Sequence, residues 1–187
     1  MSIRFEKVGK EFPKLDMLDE LNREAFPDSE RIEVERQIAL MEAGKTVFVA
    51  AYEEDTFVGF LVYVPGPKEE VLFPLFLAVA RDKRSEGYGG RILKHLEDLY
   101  PESTLVLEME ELNPEASNYP QRKRREGFYQ RNGFYDTGYC TSNLGVVFTL
   151  MSNRKELDVE KFKVVLDQAR CREYQPKFFK KGENPEK

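Results

Sequence analysis

The residues with the clearest chemical potential form a glycine-rich segment near the middle of the chain. The segment is Arg84-Ser85-Glu86-Gly87-Tyr88-Gly89-Gly90, between an apolar run and a helical pattern that begins near Arg91. Glycine lets the backbone pass close to a ligand, and the N–H groups and dipole of a helix N-terminus favour a phosphate. The spacing is neither that of a nucleotide P-loop nor that of a dinucleotide fingerprint. The segment predicts a pyrophosphate site, with a turn that binds nothing as the alternative.

Two carboxylates alternate along a predicted strand further on. In residues 104–110, Glu108 and Glu110 share one face, and apolar side chains occupy the other. Carboxylates so placed can hold an ammonium group or accept its proton through water. Glu108 is the first candidate for this role. The alternative is that both carboxylates are solvent-facing charges at a strand end.

The other metal-binding and nucleophilic side chains form no pattern. Cys140, Cys171 and the single His95 are too few and too dispersed for a zinc site or a disulfide framework. We expect no metal, and a packing or solvent-facing role for His95. Because no histidine is suggested as a partner for Cys140, a ping-pong mechanism through a thiol is not expected.

The elements around these residues predict one mixed α/β domain with the order β-α-α-β-β-β-α-β-α-β-β, followed by a closing helix. The predicted strands begin at Ile3 and then cover residues 46–52, 56–63, 71–80, 104–110, 134–140 and 145–151, with a charged hairpin turn at 53–55. The predicted helices follow Pro13, then cover residues 30–43 with Ser29 as N-cap, 89–100, 121–131 and 159–170. The domain spans residues 1–174, and residues 175–187 are expected to be a flexible tail.

Bulk properties narrow the class of partner. A net charge of -5 argues against general nucleic-acid binding and is compatible with a cationic substrate such as an amine. No run approaches the ~20 apolar residues of a membrane helix, and the first residues lack the apolar core of a secretory signal. We therefore expect a cytoplasmic protein without a membrane partner.

Two motifs resemble the signatures of the GNAT superfamily of acetyl-CoA-dependent N-acetyltransferases. Arg84, Gly87 and Gly89 stand in the defining positions of the family's pyrophosphate loop, Arg/Gln-x-x-Gly-x-Gly/Ala. The run from Tyr129 to Phe134 is similar to the second signature, Tyr-x-x-x-Gly-Phe, and follows the first in the family's order. The resemblance covers nearly the whole chain, up to about residue 151.

The resemblance implies a fold, a co-substrate and a mechanism. The fold would be a mixed, mostly antiparallel twisted sheet of about seven strands flanked by helices. Acetyl-CoA would bind along the strand of Leu77 and Val79 and at the loop formed by residues 84–90. A backbone N–H of Val79 or Ala80 would hold the acetyl carbonyl oxygen, and Tyr129 would protonate the departing sulfur. A primary amine of a small molecule or peptide would attack directly in a ternary complex.

Several alternatives remain open on the sequence. Tyr129 could instead pack helix against sheet beside Phe128 and Phe134. The basic run at 122–125 departs from the family pattern, as does Ser85, and it is either a solvated helix face or a contact to the adenosine phosphate. The chain could bind acyl-CoA without turnover, or take a longer acyl group. The last strands are also compatible with a homodimer.

Overall fold

The structure, a computed structural model, describes residues 2–183. The chain divides into two compact units that alternate along the sequence. The first unit contains the residues up to Pro65 together with Pro74–Pro101, and the second contains Gly66–Phe73 together with the residues from Glu102 onward.

The first unit contains a sheet and three helices. Its elements are β1 (Ile3–Lys7), α1 (Leu15–Ala25), α2 (Val34–Glu42), β2 (Val47–Glu53), β3 (Thr56–Pro65), residues 74–79 of β4 (Val71–Val79) and α3 (Tyr88–Leu99). The strands neighbour one another in the order β1-β2-β3-β4, and the β1–β2 and β2–β3 pairs are antiparallel. Glu53 pairs with Thr56 across a two-residue turn in which Glu54 has a φ of 53°. The predicted hairpin is confirmed.

Apolar faces hold helices α1 and α2 on the sheet of this unit. Leu18 and Ile38 from the helices are buried in one cluster with Phe48 and Phe60 from the hairpin. The leucines and isoleucines at helical spacing therefore face the core, as their periodicity predicts. This packing forms the core on which the end of β4 rests, since Ala78 belongs to the same cluster.

Helix α2 begins at Val34 with Glu33 as its N-cap, whereas the sequence predicts a start at residue 30 after a Ser29 cap. The carbonyl oxygen of Ile32 accepts hydrogen bonds from the side chains of Asn22, at 3.0 Å, and Gln37, at 2.5 Å. Two side-chain amides thus satisfy a carbonyl that a longer helix would have bonded to its own backbone. This buried contact also fastens α1 to the start of α2.

The second unit contains the start of β4 and six further elements. These are β5 (Thr104–Glu110), α4 (Tyr119–Arg131), β6 (Tyr135–Asn143), β7 (Val146–Ser152), α5 (Val159–Ala169) and β8 (Lys177–Lys180). The strand order is β4-β5-β7-β6-β8. Strands β4 and β5 are parallel, whereas β7 with β5, β7 with β6, and β8 with β6 are antiparallel. The mixed, mostly antiparallel sheet predicted from the sequence is confirmed.

Strand β8 lies where the sequence predicts a flexible tail. It pairs with β6, and Phe178 stacks on Tyr139 with ring centroids 5.3 Å apart and planes at 19°. Phe178 also lies 6.1 Å from the ring of Phe162 in α5. Two aromatic side chains therefore order a segment whose Pro, Lys and Glu content favours disorder. The end of the predicted tail, residues 184–187, lies outside the described residues.

The remaining boundaries differ from the predicted ones by a few residues. Helix α4 begins at Tyr119, with Pro120 in its first turn, and β6 continues to Asn143 beyond an irregularity between Asp136 and Cys140. Proline is compatible with a first turn because its missing N–H would have had no helical partner. Among the described residues, no helix combines the length and the apolar character that crossing a membrane requires.

Candidate functional site

The glycine-rich segment leads into the first turn of α3. Gly87 is the N-cap, with a φ of 83°, and no side chain caps this end. Ser85, two residues earlier, also has a positive φ, of 68°. Positive φ values next to helical ones make successive N–H groups converge, and first-turn N–H groups have no intrahelical partner. Since the first turn also lacks an acidic residue, the segment fits an anion such as a pyrophosphate.

The end of β4 directs one backbone N–H away from its neighbouring strand. The N–H of Ala80 donates to the carbonyl oxygen of Val58 at 3.0 Å. Because adjacent residues of a strand direct their N–H groups to opposite sides, the N–H of Val79 faces away from β3. The prediction of Ala80 as an alternative donor is therefore wrong, since the sheet already uses that N–H. Leu77 lies two residues before Val79, and both are half-buried.

The side chain of Arg84 ties the loop to two neighbouring elements. Its Nε donates to the carbonyl oxygen of Val79 at 3.2 Å. Its Nη1 lies 3.0 Å from Oε1 of Glu24 in α1. The pair with Glu24 is half exposed, so it contributes about 1 kcal/mol or less. Arg84 therefore holds the loop near the end of β4, while the neighbouring Ser85 and Glu86 are exposed.

The side chain of Tyr88 is committed to a contact inside the first unit. Its hydroxyl donates to Oε2 of Glu53 at 2.5 Å, and the residue is buried. Arg91, one turn later, donates to the other oxygen of Glu53, and its guanidinium lies 4.8 Å from the Tyr88 ring centroid. The hydrogen bond from Arg91, followed by that from Tyr88, lowers the pKa of Glu53. Tyr88 is consequently left with its backbone N–H for the cofactor-binding role predicted for it.

In the second unit, Tyr129 lies near the end of α4 and is half-buried. Its ring centroid is 5.2 Å from that of Phe128 and 6.1 Å from that of Phe134. Burial raises the pKa of the phenol, and the positive charge of Arg125 acts in the opposite direction. The ring therefore packs as the structural alternative predicts, and the hydroxyl keeps its proton at neutral pH, as a proton donor must.

Glu108 is half-buried on β5, with its carboxylate held by two hydroxyl groups. Thr141 donates to its Oε1, and so does the hydroxyl of Tyr174 at 2.5 Å. Burial, and then the negative charge of Glu108, raises the pKa of Tyr174 well above its usual value. Tyr174 thus stays protonated and keeps donating. The alternative that Glu108 is simply a solvent-facing charge does not hold.

Glu110, two residues along β5, is buried at 6% exposure. Its carboxylate accepts from Asn118 at 3.0 Å, lies 3.1 Å from the guanidinium of Arg122 and pairs with Arg125. Arg122 also donates to the carbonyl oxygen of Glu111 at 2.6 Å. A buried carboxylate needs such partners. For Arg122, whose side chain is 16% exposed, the prediction of a solvated helix face is therefore wrong, whereas Arg125 pairs with Glu110 and remains exposed to solvent.

His95 and Cys140, for which the sequence predicts no catalytic role, lie in packed or buried positions. His95 packs edge-on against Phe5, with ring centroids 4.6 Å apart, and burial lowers its pKa. Burial raises the pKa of the Cys140 thiol, which makes it a weak nucleophile at neutral pH. Within residues 2–183, no three His, Cys, Asp or Glu side chains are grouped closely enough to hold a metal ion.

Sequence reasoning missed Glu53, Arg91 and Tyr174. The spacing of Tyr88 and Arg91 puts both on one face of α3, which is the one signal that the sequence offered. Their shared partner Glu53 lies 35 residues before Tyr88, in what the sequence shows only as a charged hairpin turn. Tyr174 lies 66 residues after Glu108. Contacts over such separations follow from the fold and not from local patterns.

Comparison with known families gives a match over the segment that carries the site. Residues 43–136 match a family model described as an acetyltransferase (GNAT) domain. The matched range includes β4, the glycine-rich segment, α3, Glu108 and Tyr129. Among curated proteins, no sequence matches significantly.

Solved structures share the architecture over most of their length. A protein from Bacteroides thetaiotaomicron, named as a candidate acetyltransferase of the GNAT family, has a TM-score of 0.68 and 27% identity, and the alignment covers 86% of this chain and 91% of the other. An aminoglycoside 6'-N-acetyltransferase complexed with coenzyme A has a TM-score of 0.59 and 21% identity, with 81% and 96% covered. An N-acetyltransferase from Thermoplasma acidophilum in complex with coenzyme A has a TM-score of 0.58 and 18% identity, with 81% and 98% covered. The last two similarities concern the fold alone.

Proposed function

The chain belongs to the GNAT acetyltransferase family, and from this premise we propose that it transfers the acetyl group of acetyl-CoA to a primary amine of a small molecule or a peptide. The observation that carries the proposal is the glycine-rich N-terminus of α3, which follows β4 and has no capping side chain. Such a terminus offers convergent N–H groups to a phosphate. The family match supports an acyl thioester as the molecule that brings the phosphate.

Acetyl-CoA supplies an activated acyl group, and the chain's own residues bind and orient it. In this proposal the N–H groups of Tyr88, Gly89 and Gly90 bind the pyrophosphate. The backbone of Leu77 and Val79 pairs with the pantetheine arm. Two of the structures that share the fold are named as complexes with coenzyme A, which supports this choice of co-substrate.

Val79, Tyr129 and Glu108 are the candidates for the three chemical roles in the reaction. The N–H of Val79 donates to the acetyl carbonyl oxygen as negative charge develops there. The acceptor nitrogen forms the new C–N bond, and the C–S bond breaks. Tyr129 gives its phenolic proton to the departing sulfur, and solvent later restores that proton. An acceptor that arrives as an ammonium ion first loses one proton to solvent, because only the neutral amine has a lone pair for the attack. The second proton, lost as the C–N bond forms, passes to Glu108, directly or through water, and from there to solvent, while the sulfur receives its proton from Tyr129.

The acceptor attacks the thioester directly in a ternary complex. The buried Cys140, whose raised pKa keeps the thiol protonated, supports this order over acyl transfer through a cysteine. A cationic acceptor suits the net charge of -5 and the fixed carboxylate of Glu108. Aminoglycosides belong in the first panel of acceptors because one structure with the same fold is named as an aminoglycoside acetyltransferase.

Release of free thiol from acetyl-CoA, measured with a panel of polyamines, aminoglycosides, amino acids and peptides, tests the proposal. We expect turnover with one acceptor class. Tyr129→Phe should lower kcat by about 10²-fold or more, because the departing thiolate loses its proton donor. Binding of coenzyme A, measured by calorimetry, should not change. The matched control is Tyr135→Phe, which removes the hydroxyl of a nearby exposed tyrosine and should leave kcat unchanged.

The results separate two functions. Calorimetric binding of acetyl-CoA without thiol release from any acceptor would favour a module that binds acyl-CoA without turnover. Absence of binding would contradict the assignment of the glycine-rich segment. Full activity in Tyr129→Phe would leave the enzyme in place and remove Tyr129 from its mechanism.

A further inference from the structure

A three-residue cluster joins the end of the β2–β3 hairpin to the first turn of α3. Glu53, the last residue of β2, uses one carboxylate oxygen for the Tyr88 hydroxyl and the other for the Arg91 guanidinium. The Arg91 guanidinium also lies 4.8 Å from the Tyr88 ring centroid. The Glu53 side chain is 15% exposed, so water competes little for these bonds. We call these three residues the hairpin clamp.

The clamp contacts a glycine-rich segment whose backbone has conformational freedom to lose when a ligand binds. The segment before and within this turn contains Gly87, Gly89 and Gly90, and Ser85 and Gly87 have positive φ. Glycine permits close approach of a phosphate, but it leaves the backbone more conformations to lose on binding. No side chain caps this end of α3. Tyr88 and Arg91 occupy the first and fourth positions of the helix, so a carboxylate that holds both fixes the whole first turn.

We propose that Glu53 is a positioning residue, and that the hairpin clamp holds the first turn of α3 in the conformation that binds the pyrophosphate of acetyl-CoA. This inference rests on the proposed function, which assigns the pyrophosphate to that turn. Glu53 acts through Tyr88 and Arg91 and does not touch the reacting atoms. Preorganisation lowers the ordering cost of binding, so the clamp contributes to affinity for the phosphate part of the ligand.

A competing explanation makes Arg91 a direct ligand of the phosphate. In the structure its guanidinium is engaged by Glu53 and by the Tyr88 ring, and the carboxylate neutralises its charge. If Arg91 left Glu53 to bind phosphate, breaking the clamp would strengthen binding. The two explanations therefore predict opposite effects when the Tyr88 hydroxyl is removed.

The test uses Tyr88→Phe, which keeps the ring under Arg91 and removes only the hydroxyl that reaches Glu53. Calorimetric titration with coenzyme A should show binding about 5- to 10-fold weaker than in the unmodified chain, because only part of the free energy of a hydrogen bond to a charged group is transmitted to the turn that binds the pyrophosphate. Titration with pantetheine, which lacks the pyrophosphate, should give the same Kd in both. A purely structural defect would weaken both ligands alike.

Two controls make the result specific to the clamp. Tyr100→Phe removes a hydroxyl from the other end of α3, where it lies 3.3 Å from the hydroxyl of Tyr63, and should leave coenzyme A binding unchanged. In a Glu53→Gln background, adding Tyr88→Phe should weaken binding less than twofold, because its charged partner is already gone.

Each outcome has one meaning. Unchanged or tighter coenzyme A binding in Tyr88→Phe would overturn the clamp and leave the proposed function intact. Equal losses from Tyr88→Phe in the two backgrounds, or an equal loss for pantetheine, would also overturn it. Failure of the unmodified chain to bind coenzyme A would overturn the proposed function, and with it the inference.

Discussion

Tyr129 lies in surroundings that keep its phenol protonated. The aromatic rings of Phe128 and Phe134 lie beside it, and burial raises its pKa against the effect of Arg125. Arg125 precedes Tyr129 by four residues on α4, so both lie on one face of the helix. Its guanidinium is held by the buried Glu110. The carboxylate of Glu110 thus fixes a positive charge that makes the phenol a slightly better acid.

This arrangement predicts the pH dependence of the reaction. Tyr129 can donate only below its own pKa, which lies above the ordinary value of about 10. Activity should therefore persist to at least that pH and be lost as the pH rises through the shifted pKa. Arg125→Gln should move this alkaline limb to higher pH, because the group that lowers the pKa is gone. The measurement is kcat/KM against pH, with the titration of the acceptor amine subtracted.

The control for this prediction is Lys155→Gln, which removes the same single positive charge at an exposed position of the same unit. Its pH profile should superpose on that of the unmodified chain. An alkaline limb that stays in place or moves to lower pH in Arg125→Gln would contradict the electrostatic role of that residue.

At the scale of elements, the close approach of β3 to β4 positions the Val79 backbone. Gly59 on β3 faces Ala78, and a Cβ added at Gly59 would overlap the Ala78 carbonyl oxygen and come within 3.1 Å of the Val79 Cα. Because the atoms that this Cβ would meet belong to the backbone, no flexible side chain can move aside to make room for it. A residue without a side chain is required because β4 passes so close, and this requirement keeps the end of β4 in place.

Gly59→Ala should therefore destabilise the chain by about 1–3 kcal/mol, the range for an overpacked site. It should also raise the KM for acetyl-CoA, since the overlap displaces β4 at Ala78 and Val79. Chemical denaturation and steady-state kinetics measure the two effects. Gly9→Ala is the matched control, because a Cβ there meets no atom within 4 Å. Equal stability of the two variants would show that β3 and β4 can separate without cost.

At the scale of the whole molecule, ligand binding should raise the free energy of unfolding. A ligand that binds only the folded chain at 100 times its Kd adds about 2.7 kcal/mol. For a chain of 187 residues, the average unfolding entropy converts this into a rise in Tm of roughly 7 °C. We expect this rise with coenzyme A in a thermal unfolding experiment. ATP, which carries phosphates without the pantetheine arm, is the control at the same concentration and should give a smaller rise. An equal rise would indicate general phosphate binding.

The sequence by itself determined the class of fold and the family. Apolar periodicity is local, so it predicted the hairpin, α3, α5 and the apolar strand β4 to within a few residues. Glycines at fixed spacing permit a backbone to come close to a ligand, so the sequence alone was enough to predict a pyrophosphate site at residues 84–90, and this stays a prediction. The family match over residues 43–136 confirms the predicted family.

Only the tertiary structure decided how the candidate side chains are held. Glu110 is a buried ion-pair partner and not a surface charge, Ala80 has no free N–H, and the supposed tail forms β8. Glu53 became visible as the partner of Tyr88 and Arg91. Each of these contacts joins residues far apart in the chain. Hydrogen bonds and burial depend on which elements fold together, and a local pattern of residue types carries no information about that.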